Sequence, residues 1–269
     1  MKNNHKRIDL SKEITVAPDN FSKQEGKKQF KENTKVIEEL QNKLLAQGKY
    51  SLLLILQGMD ASGKDGAVRE VFKRITPSGI RVQSFKKPTK LEFAHDFLWR
   101  IHQHVPEKGM IQVFNRSHYE DVLIQRVHHW IDDETAHKRF QHINNFEALL
   151  EDTGTQVIKV FLHTSKEEQL VQLNERKTDP TKHWKHNSGD FEERKHWDAY
   201  MKAYEDVFFH CSENIPWHIV PADQNWFKEF LISKIVRKKL ENLDLQYPPL
   251  RYAREYFHYS ERRHLHMLS

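Results

Sequence analysis

Residues 52–66 read Leu-Leu-Leu-Ile-Leu-Gln-Gly-Met-Asp-Ala-Ser-Gly-Lys-Asp-Gly, an apolar run that feeds a glycine-flanked loop closing on a lysine. Gly58 and Gly63-Lys64 fit the G-x-x-x-x-G-K part of a phosphate-binding loop, whose backbone N–H groups cradle phosphate oxygens while the lysine neutralises their charge. Met59, Ala61, Ser62 and the trailing Gly66 belong to the same cradle. The usual pattern then breaks. Asp65 stands where a serine or threonine hydroxyl would meet magnesium, and a second carboxylate, Asp60, lies inside the loop. A negative charge beside bound phosphate is repulsive unless a cation lies between them. At least Asp60 is therefore expected to face a divalent metal, directly or through its water. The competing reading is a glycine-rich strand-to-helix turn whose aspartates only cap the helix. The order of strand, glycines, lysine and helix-like stretch favours the phosphate loop.

The chain has 269 residues, enough for one α/β domain with a sizeable core. A net charge of +5 and 18 histidines suit a polyanionic ligand, with nucleic acid and a phosphate polymer equally compatible. Charged residues make up 30% and aromatics 11%, and the mean hydropathy is −0.81, which fits a soluble globular protein and excludes a disordered chain. No apolar run approaches the ~18 residues of a membrane span. The opening Met-Lys-Asn-Asn-His-Lys-Arg lacks the apolar stretch of a secretion signal, and the single cysteine, Cys211, excludes an internal disulfide. These features favour the cytoplasm, with no membrane partner.

Phe30, Ile37, Leu40, Leu44 and Leu45 recur at helical spacing in residues 24–47, which predicts an amphipathic helix behind a flexible arm of residues 1–23. Strand-like runs follow at Leu52–Leu56, Ile80–Phe85, Met110–Phe114, Val157–Leu162 and Trp217–Val220. Helical patterns fill the intervals Gly66–Ile75, Lys90–His104, Ser117–Trp130, Asp133–Leu150, Ser165–Lys177, Asp190–Phe209 and Asn225–Leu243. Strands separated by helices imply a parallel sheet with right-handed crossovers. The fold class is thus a three-layer α/β/α sandwich over residues 24–245, with ligands at the carboxyl ends of its strands. Ser165-x-x-Glu168 and Asp190-x-x-Glu193 read as capping boxes. After Pro248-Pro249 the stretch 246–269 is rich in arginine, histidine and tyrosine, and its role is open.

The third strand ends in Phe114-Asn115-Arg116-Ser117-His118-Tyr119-Glu120-Asp121, where a phosphate-loop protein usually places an acid for its metal. Asn115 occupies that place, so a neutral amide would orient a metal-bound water or a phosphate. Arg116 follows, planar and permanently charged, suited to a bidentate grip on a phosphoryl group. Farther along, Arg176, Lys177, Lys182 and Lys185 gather between two helices, as in a lid of residues 176–200 that brings cations over phosphates and excludes water. Each of these lysines is alternatively a solvated surface charge. Trp197, Tyr200, Tyr204 and Phe208 are assigned to helix packing. Arg81, Lys86, Lys87 and Lys90 form a run without an acid between them, which would guide a long anion or simply be solvated.

The motif Gly58-to-Gly66, the strand end Phe114-to-Asp121 and the series Glu175-Arg176, Pro180, Lys182, Trp184-Lys185, Gly189-Asp190, Arg194, Trp197 together resemble the type 2 polyphosphate kinase family. The likeness, which includes Phe97-Leu98-Trp99-Arg100 and Ile219-Val220-Pro221-Ala222-Asp223, runs from about Ile8 to Pro249. It is most similar to the class that phosphorylates both nucleoside mono- and diphosphates. The resemblance implies a thymidylate-kinase-like phosphate-loop fold with a helical lid, a magnesium or manganese requirement, and phosphoryl transfer between inorganic polyphosphate and ADP or AMP, with GDP and GMP as further candidates. It implies functional roles for Asp60, Lys64, Asn115, Arg116 and Arg176. A homo-oligomer is expected, and no nucleic-acid partner.

In this reading polyphosphate lies along Lys86, Lys87 and the lid. The nucleotide sits near Glu120, which contacts base or ribose or only forms an ion pair. An ordinary ATP-dependent nucleoside monophosphate kinase competes, and Asp65 and the extra basic run tell against it. A basic nucleic-acid binder would share the charge, yet no zinc spacing, aromatic RNA-binding motif or helix-turn-helix signature is visible.

Overall fold

The apolar runs Leu52–Leu56, Met110–Phe114 and Val157–Leu162 are almost wholly aliphatic or aromatic, so strands formed from them lose little when covered on both faces. The computed structural model describes residues 7–250. Strands β1 Ser51–Gly58, β2 Ile80–Ser84, β3 Ile111–Asn115, β4 Thr155–His163 and β5 Trp217–Pro221 form one sheet. All pairings are parallel, in the order β2-β3-β1-β4-β5. The helices, in chain order, are α1 Lys23–Gln47, α2 Lys64–Val71, α3 Lys90–Phe93, α4 Trp99–His102, α5 Ile124–Val127, α6 Asp133–Asp152, α7 Lys166–Thr178, α8 Gly189–Glu193, α9 Trp197–His210 and α10 Asn225–Glu241.

The alternation of side chains along β1 divides the core into two layers. Leu53 and Ile55 join Phe114 and Phe161 under Phe140, Ile143 and Phe146 of α6 and Tyr204 and Phe208 of α9. Leu52, Leu54 and Leu56 face the other way, against Ile37 and Leu44 of α1, Val68 and Val71 of α2, and Val236 and Leu240 of α10. The three-layer α/β sandwich expected from the run of strands and helices is the observed fold. Because β1 lies between β3 and β4, its carboxyl end is the switch point of the sheet, and Leu56 stands opposite Asn115. The glycine loop and the strand-end motif are thereby brought side by side.

Several local expectations are corrected. The helix expected over residues 90–104 is two short turns, α3 and α4, because the Asp96 carboxylate accepts from the Leu98 N–H at 2.9 Å and closes a turn between them. The helix expected from Ser117 begins as a 3-10 segment, His118–Val122, with the Ser117 hydroxyl accepting from the Tyr119 N–H at 3.2 Å. Asp190 is no N-cap. It lies inside α8 with its carboxylate committed to Arg176. Ser165 does cap α7, accepting from the Glu168 N–H at 3.1 Å.

The arm expected to be flexible is packed against the domain over residues 7–22. The Leu10 N–H donates to Glu205 at 2.8 Å, a His163 ring nitrogen meets the Leu10 carbonyl at 3.1 Å, and Phe21 stacks on Phe230 at 5.0 Å between centroids. Isolated apolar residues such as Leu10 and Phe21 show no periodicity in the sequence, yet each fills a notch between elements. Residues 1–6 and, of the tail, residues 251–269 lie outside the described residues.

Candidate active site

The glycine loop owes its shape to backbone positions that a side chain would obstruct. At Gly63, where φ is +83°, a Cβ would stand 2.2 Å from the Lys228 ammonium, and at Gly58 it would stand 2.8 Å from the Ser62 hydroxyl. Lys64 opens α2 and turns back into the loop, donating to the carbonyls of Gly58 at 2.8 Å and Met59 at 3.0 Å. Its ammonium is buried, and burial, helped by the nearby Arg116 charge, brings its pKa down to about 8. A second ammonium approaches from behind. Lys228 of α10 donates to the Ser62 carbonyl at 3.1 Å and to Asn225 at 2.9 Å, and burial brings its pKa also to about 8. Nothing in the sequence pointed to Lys228, which stands 166 positions from Ser62 within an ordinary helical pattern.

The strand-end motif closes the other side. The Asn115 amide donates to the Asp65 carboxylate at 2.5 Å, so the two departures from the usual phosphate-loop pattern are partners in one contact. Arg116 has φ +62°, an uncommon conformation for a residue with a side chain, and its N–H donates to the Leu56 carbonyl at 3.0 Å. The resulting turn sends its guanidinium between Asp60, with which it forms a close ion pair, and Glu120 at 3.1 Å. Burial pushes the Asp60 carboxyl up, but the Arg116 and Lys64 charges more than offset it and hold the group below the usual carboxylate range. Glu120, the foremost cause, and Asp60 keep Arg116 protonated despite its burial. Gln57, turned so that its amide nitrogen faces Glu120, donates to that carboxylate at 3.0 Å.

A buried network anchors this turn from below. Glu147 of α6 accepts from Lys159 of β4 at 2.7 Å and from the Tyr119 hydroxyl at 2.8 Å, with a His118 ring nitrogen at 3.3 Å. Burial pushes the His118 pKa down, so the ring stays neutral, and raises that of Tyr119. His118 and Tyr119 therefore fix the backbone that carries Arg116 and Glu120. None of Glu147, Lys159 or Gln57 was legible as part of the site, since each sits in a periodic apolar stretch and the signal is only its buried polarity.

Two of the lid cations, Arg176 and Lys182, are committed to acids. Arg176 donates to Asp190 at 2.6 Å and Lys182 to Glu175 at 2.6 Å. Arg176 is partly buried. Gln169 of α7 joins lid to loop, donating to the Asp60 carbonyl at 3.0 Å while accepting from Arg194 at 2.7 Å.

Two cavities result. One, of about 270 Å³, is lined by Asp60 to Gly66, Asn115, Arg116, Gln172, Arg176, Lys182 and Lys185. The other, of about 300 Å³, has walls of Phe85, Phe93, Ile124 and Trp130 and also takes Lys86, Lys87, Arg100, Arg116 and Glu120. Lys86 and Lys87 thus keep company with Glu120, away from the lid cations, so the expected continuous track of Lys86, Lys87 and lid is not formed. Gly58 and Met59 lie beneath the first cavity, Met59 with its side chain in the core. Arg116 lines both.

Comparison with known proteins gives the chain's relatives. The chain is 47% identical over 237 residues to the AMP/ADP-polyphosphate phosphotransferase of Meiothermus ruber, covering 86% of this chain and 89% of that one. It is 41% identical over 262 residues to the ADP-polyphosphate phosphotransferase of Rhodopseudomonas palustris, covering 92% and 91%. Its fold matches the crystal structure of polyphosphate kinase 2 from Arthrobacter aurescens TC1 with a TM-score of 0.84 at 38% identity over 98% of both chains. The description of the family Polyphosphate kinase 2 (PPK2) matches residues 20–248, a span that contains the loop, the strand-end motif and the lid, and the chain belongs to that family.

Proposed function

We propose that the protein transfers the terminal phosphoryl group of inorganic polyphosphate to ADP and to AMP. The observation that carries this reading is that Arg116 lines both cavities, a cationic one bounded by loop and lid and an aromatic-walled one beside it. The cationic cavity suits a chain of phosphates, and the aromatic walls of its neighbour suit the flat base of a nucleotide. The reacting phosphates then meet at the guanidinium. The names of the relatives, which act on polyphosphate with AMP or ADP, support the same pairing.

An oxygen of the nucleotide's terminal phosphate attacks the end phosphorus of the polymer. The bridging P–O bond behind that phosphorus breaks, and the shortened chain leaves with the electron pair. The attacking oxygen is already anionic, so no base has to remove a proton. What the reaction needs is alignment of two polyanions and cancellation of their repulsion. Loop N–H groups, Lys64 and Arg116 serve that end, and Arg176 joins them when it exchanges Asp190 for phosphate. Glu120, held by Arg116 and Gln57, acts as the ion-pair partner that aims the guanidinium.

Among the described residues no three His, Cys, Asp or Glu side chains gather to hold a metal. The carboxylates of the loop, Asp60 and Asp65, nevertheless fit magnesium or manganese, since such ions take one or two carboxylates and fill the remaining positions with phosphate and water. When bound, the ion would neutralise charge on the transferring phosphates.

Purified protein incubated with ADP, polyphosphate and magnesium, without ATP, is expected to form ATP, and AMP in its place is expected to form ADP. Parallel reactions with GDP and GMP measure base selectivity. No product there, alongside robust ATP-dependent phosphorylation of a nucleoside monophosphate, would replace this reading with that of an ordinary nucleotide kinase.

A further inference from the structure

Lys228 is a buried cation without a buried anion. Its side chain is 2% exposed, and its hydrogen-bond partners, the Ser62 carbonyl and the Asn225 side-chain oxygen, are both neutral. Among the described residues no carboxylate pairs with it. Burying an ammonium on neutral partners alone is unfavourable for folding, and an apolar side chain of similar length would fill the space at less cost. The cation also has a definite address. It lies so close behind Gly63 that a Cβ there would collide with its nitrogen, while Gly63 itself lines the cationic cavity.

Peptide geometry gives this position a consequence. A trans peptide points its C=O and the following N–H in opposite directions, and every described peptide here is trans. With the Ser62 carbonyl pinned toward Lys228, the Gly63 N–H is turned the other way, toward the cavity. The ammonium adds its own positive potential through a single layer of backbone, where little water screens it.

On the reading that this loop holds phosphate, we infer that Lys228 is a positioning residue for the polyphosphate chain. It pins the loop with its amides facing the substrate and supplies, from behind, a positive charge that no substrate atom touches. Such a fixed charge acts on bound phosphate both before and during transfer, so it strengthens binding more than it speeds the chemical step.

The test compares wild-type protein with Lys228→Met, which keeps the bulk and removes charge and donors, and Lys228→Gln, which keeps a donor and removes the charge. Tripolyphosphate binding is measured by calorimetry at low salt, ADP and polyphosphate kinetics by ATP formation, and stability by thermal melts. Both variants are expected to lose about tenfold or more in tripolyphosphate affinity, with a matching rise in the KM for polyphosphate. The KM for ADP and kcat should change much less, and the melting temperature of the free protein should not fall. A purely structural role would lower the melting temperature and disturb both KM values together. Folded Lys228→Gln protein that binds tripolyphosphate as tightly as wild type would overturn the inference, whatever the fate of Lys228→Met. Wild-type protein that binds no tripolyphosphate at all would overturn the phosphate-loop reading beneath it, a result distinct from an unaffected variant.

Discussion

The glycine loop and the lid both bring cations to one cavity, yet they hold them in opposite ways. Lys64 and Lys228 rest on carbonyl and amide oxygens, so their charge is uncompensated where they donate. Arg176 and Lys182 rest on the carboxylates of Asp190 and Glu175. The loop is thus preset for an anion and is stabilised by receiving one. On the function proposed above, Arg176 and Lys182 must each exchange an acid for a phosphate in order to engage. Rigid preorganisation belongs to the first region and switching to the second.

Lys64→Ala should do the most damage. Removing a preset cation is expected to cost on the order of 3 kcal/mol or more in transition-state stabilisation, at least about a hundredfold in rate. Melting should not suffer, because a buried ammonium is lost. Turnover above about a third of wild type in a normally melting variant would remove Lys64 from the transferring phosphate. Arg176→Ala should have the next largest effect, a loss of about tenfold to a hundredfold in turnover. Its partly buried partner Asp190, which burial and then the Asp60 charge already push toward protonation, would be left unpaired, so melting should reveal a cost of about 1 kcal/mol. Full turnover with a large drop in melting temperature would make Arg176 part of the scaffold.

The pH dependence tests the loop alone. Lys64 and Lys228 carry depressed pKa values of about 8 in the folded protein, whereas an unfolded chain keeps lysine protonated to about 10.4. Across that window the unfolded state binds more protons, so their destabilising contribution, fully present below pH 8, is relieved as pH rises. Tripolyphosphate affinity should run the other way, falling by up to about tenfold per pH unit for each lysine that titrates. Stability and affinity moving together would refute the picture of uncompensated charge. The smallest effect is expected from Lys182→Ala. Its pairs with Glu175 and Asp179 are half exposed, so melting should change by no more than about 0.5 kcal/mol and turnover by a few-fold. A larger fall in activity would give Lys182 a share of the phosphate equal to that of Arg176.

What depends on neighbours along the chain is legible in the residues alone. Five apolar runs separated by helical patterns imply a parallel sheet, and a glycine loop closing on Lys64 at the end of the first run implies a phosphate site at its carboxyl end. The backbone turn and the lysine that serves it lie within six residues. The turn at Asn115 and Arg116 was legible for the same reason, because strand ends collect ligands in such sheets. Which acid each cation meets depends on how distant elements pack. Asp190 reads as a helix cap until the lid folds and places it on Arg176, and Asp65 has no visible partner until β3, lying beside β1, brings Asn115 to it. Lys86 and Lys87 fall to the aromatic cavity for want of any local signal saying which side of Arg116 they line. Lys228, Gln169 and Glu147 stayed hidden because their meaning lies in burial beside residues 166, 109 and 12 positions away. Hydrophobic periodicity encodes which face of an element is buried, whereas the polar partner waiting inside depends on strand order and helix register, which no local pattern records.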